Sequence, residues 1–391
     1  MPVRLCVVSF KPCWQDAAGA WMSDGGFPLQ MAAIASLFDA VTLVVVATPP
    51  RAGGLPLPAS AHVVGLRSPH GADGSRKLSV LTGLGYYVRV ISAHVREADV
   101  VHVPVPGDIS FLGLLLALTF RKRLIARYGS SWAVTPQTTA SQRLVRLCMR
   151  MCAGGRNVML ATGIGTAPPA PRMRWIFSTA LTRAELQSIQ PTLDRGVGVP
   201  PRLVYLGRLS SEKGVAYLLR ALARLHREGS APCPHLTILG DGPERAALER
   251  QARELAVNEV VTFAGHLNRE QLSARLVDAD LCVQPSLTEG FSKAWLDAMA
   301  HGIPVLSSRV GAAAAVIGER GARGWLVPPG DDKALADGLK QALSTATDWP
   351  ALRRRCRAFA EGWTLEAWAR EIGQICTEHW GGVLAEGKLR V

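Results

Sequence analysis

The stretch Arg202-Leu203-Val204-Tyr205-Leu206-Gly207-Arg208-Leu209-Ser210-Ser211-Glu212-Lys213-Gly214-Val215 decides the fold. A short apolar run closes on a glycine, a polar loop follows, and Val215–Glu228 reads as an amphipathic helix. Strand, loop and helix in that order form the first half of a parallel crossover unit. The alternation repeats downstream, with strands expected at Leu236–Leu239, Val260–Phe263, Asp280–Gln284 and Val305–Ser307. Helices are expected between and after them at Glu244–Leu255, Arg269–Val277, Ser292–Ala300 and Asp332–Ser344. Strands alternating with helices imply a parallel sheet covered on both faces, hence a doubly wound α/β domain.

Upstream the same pattern is looser. Leu5–Phe10, Val41–Ala47, Val100–Val103 and Leu124–Ala126 read as strands, and Leu29–Phe38 and Ser110–Phe120 as helices. A chain of 391 residues exceeds the ~250–300 residues at which single cores stop growing, so two domains are expected. The Pro- and Gly-rich stretch from Pro191 to Pro201 places the boundary, giving domains at 1–195 and 196–355. Residues 356–391 add a C-terminal helix over Trp363–Glu378, expected to pack back toward the first domain.

Composition removes other classes. Hydrophobic residues make up 48% and charged ones 19%, too apolar for a disordered chain. The eight cysteines show no paired spacing, which argues against zinc and a disulfide framework and for a reducing cytosol. No stretch reaches the ~18–20 apolar residues of a membrane span, and Val3–Phe10 is too short for a signal peptide, so a cytoplasmic chain is expected. Net charge is +13, and it is uneven: residues 1–200 carry 20 Lys and Arg against 9 Asp and Glu, whereas residues 201–391 carry 24 against 22. Between Asp108 and Glu185 there is no acid, yet Arg121, Lys122, Arg123, Arg127, Arg143, Arg146, Arg150 and Arg156 fall there. One half of the protein is built to meet an anionic partner.

The chemistry concentrates in the second half. Arg208 and Lys213 share one strand-to-helix loop, where two cations beside a helix N-terminus can clamp a diphosphate. In Glu289-Gly290-Phe291-Ser292-Lys293-Ala294-Trp295-Leu296-Asp297 one acid precedes a helix and another follows eight residues on. Gly290 permits close backbone approach, and the amides that open the helix favour an anion. Asp297 lies among apolar residues and needs a partner, either a ribose diol or a buried cation. Asp278-Ala279-Asp280 spells a possible metal motif but ends a helix and opens a strand.

Gly207-Arg208 with Glu212-Lys213-Gly214, then Gly240-Asp241-Gly242-Pro243, Phe263-Ala264-Gly265, Pro285-Ser286 to Glu289-Gly290-Phe291, Gly302-Ile303-Pro304-Val305 and Gly324 to Pro329 resemble the retaining glycosyltransferases of family 4. The order and spacing match from about residue 202 to 345. The resemblance implies a GT-B fold, two doubly wound Rossmann-like domains facing across a cleft, with a nucleotide-sugar donor held mainly by the second domain and the acceptor by the first. It implies that Arg208 and Lys213 bind the donor diphosphate and that Glu289 contacts the transferred sugar. Gly290, Phe291 and Ser292 would supply donors to sugar and phosphate, and Asp297 would bind the ribose. Gly207 and the loop Gly265-His266-Leu267 would line the nucleotide, and Gly25 and Gly26 would close over the phosphates. His102 and Tyr128 are the expected acceptor-side residues, Tyr128 standing where the family often carries His. The second acid is Asp where the family usually has Glu. No cofactor or metal is expected.

Family members commonly act on lipid-linked sugars, which fits the basic first half. Arg143, Arg146 and Arg150 recur at helical spacing, and Arg76, Lys77, Arg89 and Arg96 interleave with leucines and tyrosines. Both stretches suit an anionic membrane surface at the cytosolic face, and no nucleic-acid module is present. The expected function is glycan transfer to a lipid-linked acceptor in exopolysaccharide or envelope-glycan synthesis. The alternatives are a soluble transferase acting on a small molecule or sugar phosphate, and a nucleotide-sugar-binding protein without turnover.

Overall fold

The computed structural model describes residues 2–71, 73–134, 138–229, 233–319, 321–344 and 346–391, and the side chains at 73, 74 and 77, Lys77 among them, lie outside it. The chain divides into two compact units, Met1–Ala180 with Leu365–Val391, and Leu181–Thr364.

The second unit holds a six-stranded parallel sheet. Its strands in chain order are Arg202–Leu206, His235–Leu239, Val261–Gly265, Leu281–Gln284, Val305–Ser308 and Gly324–Val327. Their spatial order is third, second, first, fourth, fifth, sixth. The helix Val215–Arg227 shows how the sequence covers this sheet: Val215, Leu218, Leu219, Leu222 and Leu225 are buried on one stripe, and Arg224, His226 and Arg227 sit in its last turn. Basic residues there oppose the negative end of the helix dipole. Truncating one of those leucines to Ala would cost ~2–5 kcal/mol through transfer and cavity terms.

The first unit repeats the plan. Arg4–Gln15, Ala40–Ala47, Ala61–Leu66, Val100–Val105, Arg123–Tyr128, Asn157–Thr162 and Met173–Ile176 form the parallel core, ordered third, second, first, fourth to seventh. Val100–Val105 is buried at every position, as a central parallel strand covered on both faces must be. The first strand runs further than its apolar segment, passing through Pro12 after a register shift. Proline is tolerated there because a bulge frees the ladder from its missing donor.

Both unit boundaries fall elsewhere than the sequence predicted, at 180/181 and 364/365 rather than 195/196 and 355/356. Side chains explain the shift. Arg195 bonds Ala279 O at 2.6 Å and pairs with Asp280, and Arg353 reaches the same Asp280 at 3.1 Å. Asp280 also accepts the Gly198 and Arg202 amides. The Pro- and Gly-rich stretch is therefore stitched into the second unit, and so is the helix Trp349–Glu361. The final helix, Leu365–Trp380, belongs to the first unit: Trp380 Nε1 donates to Arg156 O, and Arg174 pairs with Glu378. All eight cysteines are free. Among the described residues no helix is long and apolar enough to cross a membrane.

Candidate active site

The strand order of the second unit reverses between Arg202–Leu206 and Leu281–Gln284, which pair directly. Ligands of such sheets bind beyond the carboxyl ends of the strands at this reversal. Two loops leave there, Gly207–Gly214 and Pro285–Ser292. They are tied together by Leu287 N donating to Glu212 O at 2.8 Å. Gly214 has φ +68°, and a Cβ on it would come within 2.1 Å of Pro285 O. No other residue fits that contact without moving the loops apart.

This juxtaposition brings Lys213 to Glu289 across 76 residues, Nζ to Oε2 at 2.5 Å, with side chains 24% and 15% exposed. A mostly dry pair of this length is strong and well oriented. Glu289 is braced from behind by Gly311, at φ +53°, where a Cβ would meet Glu289 O at 2.1 Å. Glu212 accepts the Ser210 hydroxyl at 2.6 Å. Burial opposes its charge, but that bond and the nearby Lys213 and Arg208 hold its carboxyl below the usual range. Arg208 is exposed at the loop tip, and among the described residues its guanidinium has no hydrogen-bond partner. Its carbonyl accepts the buried Tyr205 hydroxyl at 2.9 Å. One cation is thus locked to an acid, and one is open.

Gly290, Phe291 and Ser292 lead into the helix Lys293–Ala300, and the Ser292 hydroxyl makes no capping bond. Phe291 is buried and stacks on Trp363, with centroids 5.8 Å apart, so its ring packs and only its backbone can serve a ligand. His266 is exposed and Leu267 half-buried on the loop after Val261–Gly265, whose Gly265 O accepts the Gly240 amide. Asp297 has the cation partner that the sequence left as an alternative. Arg269 Nη2 donates to its Oδ1 at 3.1 Å and pairs with Glu185 at 2.6 Å. Neither Arg269 nor Glu185 was singled out from the sequence. They lie 84 residues apart, and the local signal at Arg269 is only that it opens a helix behind the Asn268–Gln271 capping box.

Among the described residues no group of three His, Cys, Asp or Glu could hold a metal ion. The Asp278-Ala279-Asp280 motif is structural. Asp280 is fully buried on its two arginines, and Asp278 faces outward toward Arg202.

In the first unit Gly25 and Gly26 open the helix Phe27–Ala35, Gly25 at φ +68° with open space around it. His102 and Tyr128 do not come together. Tyr128 pairs with Val105 and His102 with Ile125, so alternation sends them to opposite faces of the sheet. Tyr128 is fully buried against Trp132. His102 is fully buried too, its Nδ1 bonding Ile125 O at 3.0 Å. Burial, helped by the charge of Arg127, pulls its pKa down to about 3. Neither is an accessible acceptor-side group in this structure. The basic helices are corrected as well. Arg146 is buried, donating to Ser131 O and Ala133 O, and Arg76 is bound to Asp108 through two bonds. The span 76–96 is broken at Gly83 into Asp73–Thr82 and Leu84–Glu97.

Two Rossmann-like units in tandem define the GT-B class of glycosyltransferase fold. The chain aligns over 96% of its length with the structure of HepE from Anabaena in complex with UDP and glucose, at a TM-score of 0.69 and 18% identity, covering 99% of that chain. Residues 197–363 match the family described as glycosyl transferases group 1. Glycogen synthase of Mycobacterium tuberculosis is 39% identical over 160 residues, 41% of this chain and 37% of that enzyme. The putative colanic acid biosynthesis glycosyltransferase WcaL of Salmonella typhimurium is 33% identical over 150 residues, 37% of this chain and 36% of that protein. The chain spans little more than a third of the length of these curated relatives.

Proposed function

We propose that the chain is a retaining, metal-independent glycosyltransferase that moves a sugar from a nucleotide-sugar to a lipid-linked glycan acceptor, in exopolysaccharide or envelope-glycan assembly. The Lys213–Glu289 pair at the strand reversal, with Arg208 open beside it, carries this reading. The donor diphosphate lies against Lys213 and Arg208. As the bond from the anomeric carbon to the phosphate oxygen breaks, its electron pair leaves with the diphosphate, where two preorganised cations stabilise the growing charge. Glu289 orients Lys213 and accepts hydroxyls of the transferred sugar, and the amides from Gly290 to Ser292 face sugar and phosphate. The acceptor hydroxyl approaches on the side of the departing phosphate, its oxygen bonds to the anomeric carbon and its proton passes to that phosphate, so retention needs no side-chain base. Two cations do here what a bound ion does elsewhere for a leaving diphosphate.

The acceptor's lipid is supported by the first unit. Its 21 Lys and Arg against 11 Asp and Glu leave it at +10, while the second unit stands at +3. The helix Ala140–Cys152 exposes Leu144, Leu147 and Met151 together with Arg143 and Arg150, the chemistry of an anionic bilayer surface at its cytosolic face. A hydrolysis screen of UDP-, GDP- and ADP-sugars tests the donor reading. Slow release of one nucleoside diphosphate, unaffected by EDTA, is expected. Binding without any release would leave a nucleotide-sugar-binding protein, and loss with EDTA restored by manganese would overturn metal independence.

A further inference from the structure

Three charged side chains from three elements meet beside the proposed nucleotide loop. Arg269, the first residue of helix Arg269–Leu276, donates from Nε to Glu185 Oε1 at 2.8 Å and from Nη2 to Asp297 Oδ1 at 3.1 Å. The side chains are 27%, 22% and 12% exposed for Arg269, Glu185 and Asp297. Burial works against the guanidinium's charge, but the two acids outweigh it and hold Arg269 protonated. One turn further on, His301 Nδ1 lies 2.9 Å from Asp297 O, and its Nε2 lies 2.8 Å from Ser273 Oγ. A carbonyl only accepts, so Nδ1 carries the proton and Nε2 receives the serine hydroxyl. Helices Arg269–Leu276 and Lys293–Ala300 are therefore cross-linked at two levels, and the upper link ends on Asp297.

We infer that Arg269 is a positioning residue that fixes the Asp297 carboxylate for a ribose diol, so that this site selects ribonucleotides over deoxyribonucleotides. The inference rests on the reading of Asp297 as the ribose acid. Arg269 occupies Oδ1 alone, and among the described residues Oδ2 has no hydrogen bond, which leaves one oxygen for a ligand hydroxyl. An aspartate is one methylene short of a glutamate, so its reach depends on where it is held. A planar fork can bridge two acids from one backbone position, which a lysine ammonium does with less geometric control. Glu185 anchors the far side of the fork and keeps the guanidinium from swinging toward solvent.

Calorimetric titration of the full chain with UDP, GDP and ADP, and with the 2′-deoxy form of whichever binds, tests this. The native protein should prefer the ribonucleotide about tenfold or more, the scale of a lost hydrogen bond to a charged group. Arg269→Gln should weaken ribonucleotide binding by that factor and leave the deoxy form unchanged, so the preference collapses. Arg269→Lys should restore part of it. In turnover, the loss should appear in KM for the donor rather than in kcat. Equal weakening of both nucleotides, or an unchanged preference in Arg269→Gln, would overturn the inference and leave the donor site standing. No binding of any nucleoside diphosphate by the native chain would overturn both. Retained near-native melting of Arg269→Lys keeps the comparison valid should Arg269→Gln fold poorly.

Discussion

The two units share a strand order yet differ in how several of their buried cations are partnered. In the second, cations meet carboxylates: Arg353 and Arg195 on Asp280, Arg269 on Asp297 and Glu185, Lys213 on Glu289. In the first, Arg127 and Arg146 are buried and hold no carboxylate among the described residues. Arg127 donates to the Gln30 amide oxygen at 3.1 Å and lies over the Trp368 ring. Arg146 uses two carbonyls and the rings of Tyr128 and Trp132. Burial pulls the Arg127 pKa down to about 10, which still leaves it charged at neutral pH. The second unit thus uses its acids to pair these cations, while the first carries the larger net positive charge.

That contrast predicts four effects of decreasing size. Arg353→Met leaves the fully buried Asp280 short of one partner and should cost about 3–5 kcal/mol in denaturant unfolding; a loss under 1 kcal/mol would show that Arg195 and the two amides suffice. Reversing Arg143 and Arg150 to Glu should release the protein from anionic vesicles, since each base near such a surface contributes about 1 kcal/mol. Equal sedimentation with neutral and anionic vesicles would remove the membrane surface. The third effect is acid sensitivity. His102 is neutral when folded, with its pKa depressed to about 3, so protons bind the unfolded chain first and stability falls as pH drops below about 6.5. At pH 5.5 this costs about 1.4 kcal/mol, and His102→Gln should flatten that part of the profile. An identical profile would place the titration elsewhere. The smallest effect belongs to Arg127→Met, where relief of desolvation offsets the lost amide bond and stability should change by no more than about 1 kcal/mol. A larger loss would reveal a carboxylate-strength partner.

The same contrast explains what the sequence disclosed. In the second unit each expected strand ends on a glycine or a polar loop within a few residues, so the expected elements lie within a residue or two of those observed, whereas the helices Arg183–Ser188, Ala313–Ile317 and Trp349–Glu361 carry no such punctuation and are not among them. Gly324–Val327 was read as a motif rather than as the sixth strand. In the first unit Asn157–Thr162 and Met173–Ile176 lack a β-branched run and passed unmarked. Arg208, Lys213 and Glu289 are nominated by spacing local to two loops, and the structure brings Lys213 to Glu289. Arg269 and Glu185 are not, because their meeting depends on the packing of distant helices. His102 and Tyr128 went to opposite faces because strand register, which fixes parity, is not written in either strand alone.

Lys213 and Glu289 are proposed to perform the donor chemistry. Turnover and nucleoside diphosphate affinity measured together in Lys213→Ala and Glu289→Gln test it most directly. Lys213→Ala should lower turnover roughly 10²-fold, the scale of removing one preorganised donor to a developing charge. Glu289→Gln should lower transfer while nucleotide affinity stays near native. Near-native turnover in both variants would contradict the account.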